Sequence, residues 1–271
     1  MDGFTAFAPA LASTDAGFRE EYFGALAELE AGSFWFRARS ALIIWAMQRY
    51  LPETRSFLEI GCGTGFVLRG VRNAFPGAEL SGSEIFTTGL GFAAERVPSA
   101  RFYQMDARSI PFRDEFDAIG AFDVIEHIGE DETVIAEVAK ALRPGGGFVV
   151  TVPQHPALWS RQDEHAEHVR RYTAAELRRK VEAAGFEVVR MTSFVSLLLP
   201  VMFASRRLMR AERAASEFDA IDAVRLPRPV NAVLEAVMSV ERALIRRGLS
   251  FSAGGSLLLV ARQRDTAVGR S

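Results

Sequence analysis

From about residue 40 to 192, apolar runs of strand length alternate with segments of helical periodicity, and this alternation limits the fold more than any other feature of the chain. Parallel strands cannot be joined by a tight turn, so the pattern describes a sheet whose neighbouring strands are connected by crossover helices. Strands are expected at Ser56–Ile60, Glu79–Ser83, Arg101–Gln104, Phe116–Phe122, Gly147–Val152 and Phe186–Thr192, with a last one at Ser256–Gln263. The helices between them are punctuated. "GEDETVIAEVAKALRPGG" places Glu130, Asp131 and Glu132 at a helix start and Arg143 at its end, before Pro144 and the glycines; Val134, Ile135, Val138, Ala139 and Leu142 form its apolar stripe. Thr173 and Glu176 form a capping-box pattern, and Gly185 is the expected stop. The alternation then lapses. The expected organisation is an N-terminal arm and helix over 1–40, an α/β core over 41–193, a helical cap or insertion over 194–255, and a last strand and tail over 256–271.

Composition narrows the function classes. With 32 basic and 34 acidic residues the chain has a formal charge of −2, so it lacks the overall positive field that holds a polyanion, and nucleic acid is not the expected partner. One cysteine, Cys62, builds neither an internal disulfide nor a thiolate metal site, which points to a reducing, cytoplasmic setting. The first 18 residues carry no basic residue, unlike a secretion signal, and read as a loosely held arm. The most apolar run, Phe194–Ala204, is eleven residues long and contains Pro200, well short of the ~20 needed to cross a bilayer.

The stretch "FLEIGCGTGF", residues 57–66, sits between the first strand and the following helix. A bare turn there lets a ligand approach the backbone and offers N–H groups at a helix start. A dinucleotide needs Gly-x-Gly-x-x-Gly/Ala, and Gly61 and Gly63 fit, but the required small position is Phe66, whose bulk obstructs a diphosphate. The third glycine falls at Gly65 instead.

The stretch "LEIGCGTGFVL" resembles the first motif of class I S-adenosylmethionine-dependent methyltransferases, and the similarity runs in order over about residues 35–195 and, more weakly, the final strand. It implies a Rossmann-like, mostly parallel seven-stranded sheet with the last strand antiparallel and a helical insertion before it. It also implies a cofactor site: Glu59, Gly61, Cys62, Gly63 and Gly65 in the first loop; Glu84 and Ile85 in "LSGSEIF", the acid taking the ribose hydroxyls; Asp106 and Ala107 in "YQMDARSIPF" for the adenine; Ala121 and Phe122 in "FDAIGAFDVIEHI" beside the methionine part. The chemistry is consistent, because this cofactor has no phosphates and offers hydroxyls, an amine and an ammonium group to carboxylates.

Methyl transfer from a sulfonium is an in-line displacement that needs a base only when the acceptor arrives protonated. All four histidines lie between 127 and 168, after the fourth strand. His127, His155 and His168 are the candidate catalytic groups; Trp35, Arg39 and Trp159 are candidates for the acceptor pocket. His127 is equally consistent with a structural histidine, and Arg170, Arg171 and Tyr172 with ion pairing and packing. Asp123, Glu126 and His127 resemble the acid-x-x-Glu-His set of quinone-pathway O-methyltransferases, where a metal ion has been implicated, but one short cluster lacks a full set of ligands and no metal ligand is assigned.

The segment "SFVSLLLPVMFASRRLMRAERAA" runs an apolar stretch into Arg206, Arg207, Arg210 and Arg213, a pattern open to a peripheral membrane contact, a lid over an apolar substrate, a homodimer face or ordinary core packing. Pro227 and Pro229 lead into a second amphipathic helix with Val233, Val237, Val240 and Leu244 on one side. The expected protein therefore methylates a small, apolar, even lipid-like acceptor, with O-methylation ahead of C- or N-methylation. The alternatives are a nicotinamide-dependent oxidoreductase, against which Phe66 argues, and a non-catalytic protein that keeps the cofactor pocket for regulation.

Overall fold

The computed structural model describes residues 1–12, 22–204 and 225–264. Arg206, Arg207, Arg210 and Arg213 lie outside the described residues. Strand β1 (Thr5–Ala6) and helices α1 (Tyr22–Leu29) and α2 (Phe34–Tyr50) precede the alternating part. That part consists of β2 (Ser56–Ile60), α3 (Phe66–Ala74), β3 (Glu79–Glu84), α4 (Thr87–Arg96), β4 (Arg101–Gln104), β5 (Phe116–Phe122), α5 (Asp131–Ala141) and β6 (Leu142–Pro153). The short α6 (Arg161–His165), α7 (Ala174–Ala183), β7 (Phe186–Phe194), α8 (Arg228–Arg246) and β8 (Ser256–Gln263) complete the order.

The strands form one sheet in the order β1-β4-β3-β2-β5-β6-β8-β7. The first six in that order are mutually parallel, and β8 runs antiparallel to both β6 and β7. All seven expected strands are present. The eighth is a difference from the sequence reading: the start of the arm is not loose, because Thr5 and Ala6 pair with Tyr103 and Gln104. Three aromatic contacts hold it, Phe4 with Phe102 and Phe7 with both Tyr103 and Phe112, at ring separations of 6.5, 5.8 and 5.8 Å.

Both faces of the sheet are covered, which is why its strands read as nearly continuous apolar runs. Phe57, Ala118 and Val149 point into a core built with α2, α3 and α4, while their neighbours Leu58, Ile119 and Val150 point into a second core built with α5 and α7. The period of two along each strand sorts the side chains between these layers. β8 is buried from Ser256 to Ala261 because it lies inside the sheet, between β6 and β7.

Two boundaries differ from expectation. α5 ends at Ala141 and Leu142 already belongs to β6, so Arg143 is not a helix-end residue; it pairs with Asp117 at 2.7 Å across the β5–β6 ladder. Thr173 accepts the N–H of Glu176 at 3.2 Å, half of the expected box, and Gly185 follows α7 with φ of 92° as expected. Farther along, α8 packs on α2 through Arg37–Glu235 at 3.2 Å and through the Asn231 Oδ1 that accepts the Phe34 N–H at 2.8 Å.

Candidate active site

The order β3-β2-β5 places the chain's topological switch between β2 and β5, and open α/β sheets bind ligands outside the carboxyl ends of their strands at such a point. Residues 61–65 leave β2 there. Gly61, Gly63 and Gly65 have φ of 63°, 50° and 74°. Two of them also have no room for a side chain: a Cβ on Gly61 would lie 2.5 Å from Val124 Cγ2, and one on Gly65 would lie 3.0 Å from the Ala93 Cα. Cys62 lies beneath the loop, its N–H bonded to the Ser83 carbonyl at 2.9 Å and its thiol pushed up by burial.

Acids ring the loop at successive strand ends. The Glu84 carboxylate accepts the Gly63 N–H at 3.1 Å and the Ile85 N–H at 2.7 Å, so it spans the first loop and the turn after β3. Burial raises its pKa against the pull of those N–H donors. Glu59 is 3% exposed and its Oε2 has no hydrogen-bond partner. Desolvation holds its carboxyl well above the usual range, with Arg39 pulling the other way. Asp106 differs from the open acceptor the sequence suggested. Its carboxylate is held by the Arg108 guanidinium at 2.9 Å and by the Arg108 N–H at 2.9 Å, so an adenine amine there would share the carboxylate with an arginine. Ala107 is buried next to it.

At the end of β5, Ala121 and Phe122 are buried, and the Phe122 carbonyl accepts from Arg39 Nη1 at 3.3 Å. Arg39 also pairs with Asp123, and its guanidinium lies 4.7 Å above the Trp35 ring. Trp35 and Arg39, distant in sequence, thus meet the β5 end. Asp123 itself adopts φ of 57°.

The histidines divide. His127 and His168 meet edge to face with ring centroids 4.7 Å apart. His168 Nδ1 lies 3.0 Å from Asp163 Oδ1, and Asp163, which also binds Arg171 at 2.7 Å, is held down to a pKa of about 2 chiefly by hydrogen bonding to His168 and by the Arg171 charge, against its own desolvation. Desolvation and the neighbouring His168 bring His127 down to about 4. His155 stands apart, with φ of 61°, in a shallow hollow of about 210 Å³ shared with Ala157, Leu158, Leu199 and Phe203. Trp159 is half-buried just beyond that hollow, after the turn Pro156–Leu158. Tyr172 is fully buried and donates to Asp131 at 2.6 Å, and Arg170 pairs with Asp131 at 2.7 Å.

The family model described as "Methyltransferase domain" matches residues 34–191, which spans β2 to β7 and every strand end described above. The chain belongs to the class I S-adenosylmethionine-dependent methyltransferases. It is 27% identical over 159 residues to a probable S-adenosylmethionine-dependent methyltransferase of Mycolicibacterium smegmatis, covering 58% of this chain and 60% of that one. It is 30% identical over 127 residues to the trans-aconitate 2-methyltransferase of Variovorax paradoxus, covering 46% and 47%. The chain thus matches only about half to three fifths of the length of these relatives. Among solved structures, the phosphoethanolamine N-methyltransferase 2 of Haemonchus contortus in complex with S-adenosyl-L-methionine superposes with a TM-score of 0.60 at 18% identity, covering 97% of this chain and 61% of that one. That likeness concerns the fold.

The contacts that hold the glycine loop from outside were not legible in the sequence. Thr64 Oγ1 donates to Glu30 at 2.6 Å, and Arg96 reaches both Glu30 and Thr64 Oγ1 at 2.7 Å while its guanidinium lies 5.5 Å over the Phe66 ring. Helix α1 is thereby tied over the loop, with Phe23 3.8 Å from where a Gly63 Cβ would stand. Phe23 and Glu30 are seven residues apart, a helical spacing that was visible in the sequence; their partners were not. Asp163 was also missed, although Ser160-x-x-Asp163 is a capping pattern that the structure completes.

Proposed function

We propose that this protein transfers the methyl group of S-adenosylmethionine to a small, largely apolar acceptor, with oxygen the favoured attacking atom. The observation that carries the reading is the Glu84 carboxylate bridging Gly63 and Ile85 at the rim of a loop that contains no phosphate cradle and is followed by Phe66. A ribose edge offers two hydroxyls to that carboxylate. Glu59, buried with a free oxygen, suits the ammonium of the methionine part, which would also draw its pKa down. Ala107 and the Asp106–Arg108 pair border the adenine side, and Ala121 and Phe122 the sulfonium side.

The acceptor side is drawn from Trp35, Arg39, His127, His155, Trp159 and His168. His155, which lines the apolar hollow with its Nε2 unpartnered, is the favoured base for an acceptor hydroxyl, while His168 is held by Asp163 through Nδ1 and turns its Nε2 toward Glu126. The hollow beside His155 is apolar, and Val201 and Phe203 next to it are 61% and 43% exposed, which supports an acceptor with lipid-like surface delivered by a peripheral membrane contact or covered by a second copy of the chain. The similarity to a trans-aconitate 2-methyltransferase supports a small-molecule acceptor. A cytoplasmic location accords with the single, buried, unpaired cysteine.

Calorimetry with S-adenosylhomocysteine tests the cofactor half. One equivalent should bind, and Gly63→Arg or Glu84→Ala should weaken it at least tenfold; no heat from the wild-type protein would overturn the reading. Methyl-labelled cofactor incubated with a cell extract then tests transfer. Label in an apolar small molecule supports the acceptor class, whereas cofactor binding with no label in any product favours a regulatory role.

A further inference from the structure

Glu126 is completely buried, yet neither carboxylate oxygen has a hydrogen-bond partner. A buried carboxylate without partners is strongly disfavoured on general grounds, so some group not supplied by its neighbours should satisfy it. The nearby charges are already committed. Arg39 pairs with Asp123, and Arg171 pairs with Asp163 and donates to the Gln154 carbonyl at 3.0 Å. After these pairings one negative charge remains, on Glu126. A proton would neutralise it but would leave the new hydroxyl without an acceptor.

The two imidazoles beside Glu126 are presented with free lone pairs. His168 donates Nδ1–H to Asp163, so Nε2 is left facing Glu126 Oε1, 4.0 Å away. The ring of His127 is held by the backbone at Ala166 and Glu167, and its Nδ1 is buried without a partner. One atom each from Glu126, His127 and His168 all lie within 4.8 Å of one another. Each ring is fixed by an oxygen acceptor at one nitrogen and keeps the other unpaired, and that of His168 faces the carboxylate, the arrangement in which outer partners set the tautomer of metal-binding histidines.

We infer that Glu126, His127 and His168 bind a divalent transition-metal cation of the zinc class. Two imidazoles and a carboxylate suit such an ion, and bonds of about 2.0–2.2 Å need only small side-chain adjustments to close the set. Three protein ligands leave a coordination position open, as in catalytic rather than structural zinc sites. The set is not the one the sequence suggested: Asp123 is engaged by Arg39, and the third ligand comes from beyond α6. The site adjoins the β5 end, where Phe122 and Arg39 meet, but its existence does not depend on which acceptor the enzyme uses.

The test uses the full chain treated with EDTA and dialysed. Titration with ZnCl2 should show one tight equivalent, and CoCl2 should give the visible bands of a four- or five-coordinate ion that zinc abolishes. In ring-nitrogen NMR spectra of the wild-type protein, zinc should move the signals of His127 and His168 and leave those of His155 and His165 in place, a readout that needs no variant. Glu126→Gln and His168→Ala should each weaken binding at least tenfold, and Asp163→Asn about tenfold through loss of orientation. Absence of binding, binding that survives both ligand variants, or movement of His155 or His165 instead would overturn the inference. S-adenosylhomocysteine calorimetry on the same metal-free protein separates its failure from that of the cofactor reading.

Discussion

A methyl group on Gly65 would meet Ala93 at 3.0 Å in a backbone conformation with φ of 74°, so this position is closed twice over. Gly65→Ala should cost roughly 1–3 kcal/mol, read from urea melts of the ligand-free protein. Glu59→Gln should act in the opposite direction. Burial holds the Glu59 pKa above its unfolded value, so the folded chain carries the extra proton between the two and stability falls as pH rises through that window. The Gln variant should therefore melt higher than wild type at neutral pH, flatten that pH dependence in thermal scans, and lose S-adenosylhomocysteine affinity in calorimetry. The positions of Glu59 and Glu84 were legible because strand ends could be read from apolar runs. The partner of Asp106 was not, although Arg108 is two residues away, because sequence gives no rotamer. Glu30 and Arg96 are 66 residues apart and meet only once α1 lies over α4.

At the scale of elements, Asp131 at the start of α5 joins three segments: it accepts from Tyr172 at 2.6 Å, Lys180 at 2.5 Å and Arg170 at 2.7 Å. Acids at that helix start were expected from the dipole alone; the buried network is a larger reason for the residue. Asp131→Asn should destabilise the protein by about 3 kcal/mol in chemical denaturation, since it removes the charge that faces the buried Lys180 and the half-buried Arg170. Helix α8 shows the opposite balance of legibility. Its valine-rich side was plain in the sequence, yet Val233 and Val240 are 63% and 56% exposed while Met238, Glu241 and Ile245 are buried. The reason is Glu241, whose carboxylate accepts the N–H groups of Val195, Ser196 and Leu197 at 2.6, 2.7 and 2.8 Å. Glu241→Leu should speed amide exchange at residues 195–197 well ahead of the central strands, measured by deuterium uptake.

Across the whole molecule, two cores on opposite faces of one sheet make the fold cooperative, and the glycine loop is part of that framework rather than an appendage. S-adenosylhomocysteine at a hundred times its Kd should stabilise the protein by about 2.7 kcal/mol, seen as a concentration-dependent rise in Tm. The seven longer strands were legible because covered strands are written as continuous apolar runs. The two-residue β1 was not, being too short for any periodicity. The order of strands carries one more consequence. β8 fills the slot between β6 and β7, so a strand synthesised after both of its neighbours is an interior one. Until it emerges, a nascent chain displays two unsatisfied edges, and a stop codon at position 256 should yield insoluble product instead of a trimmed domain.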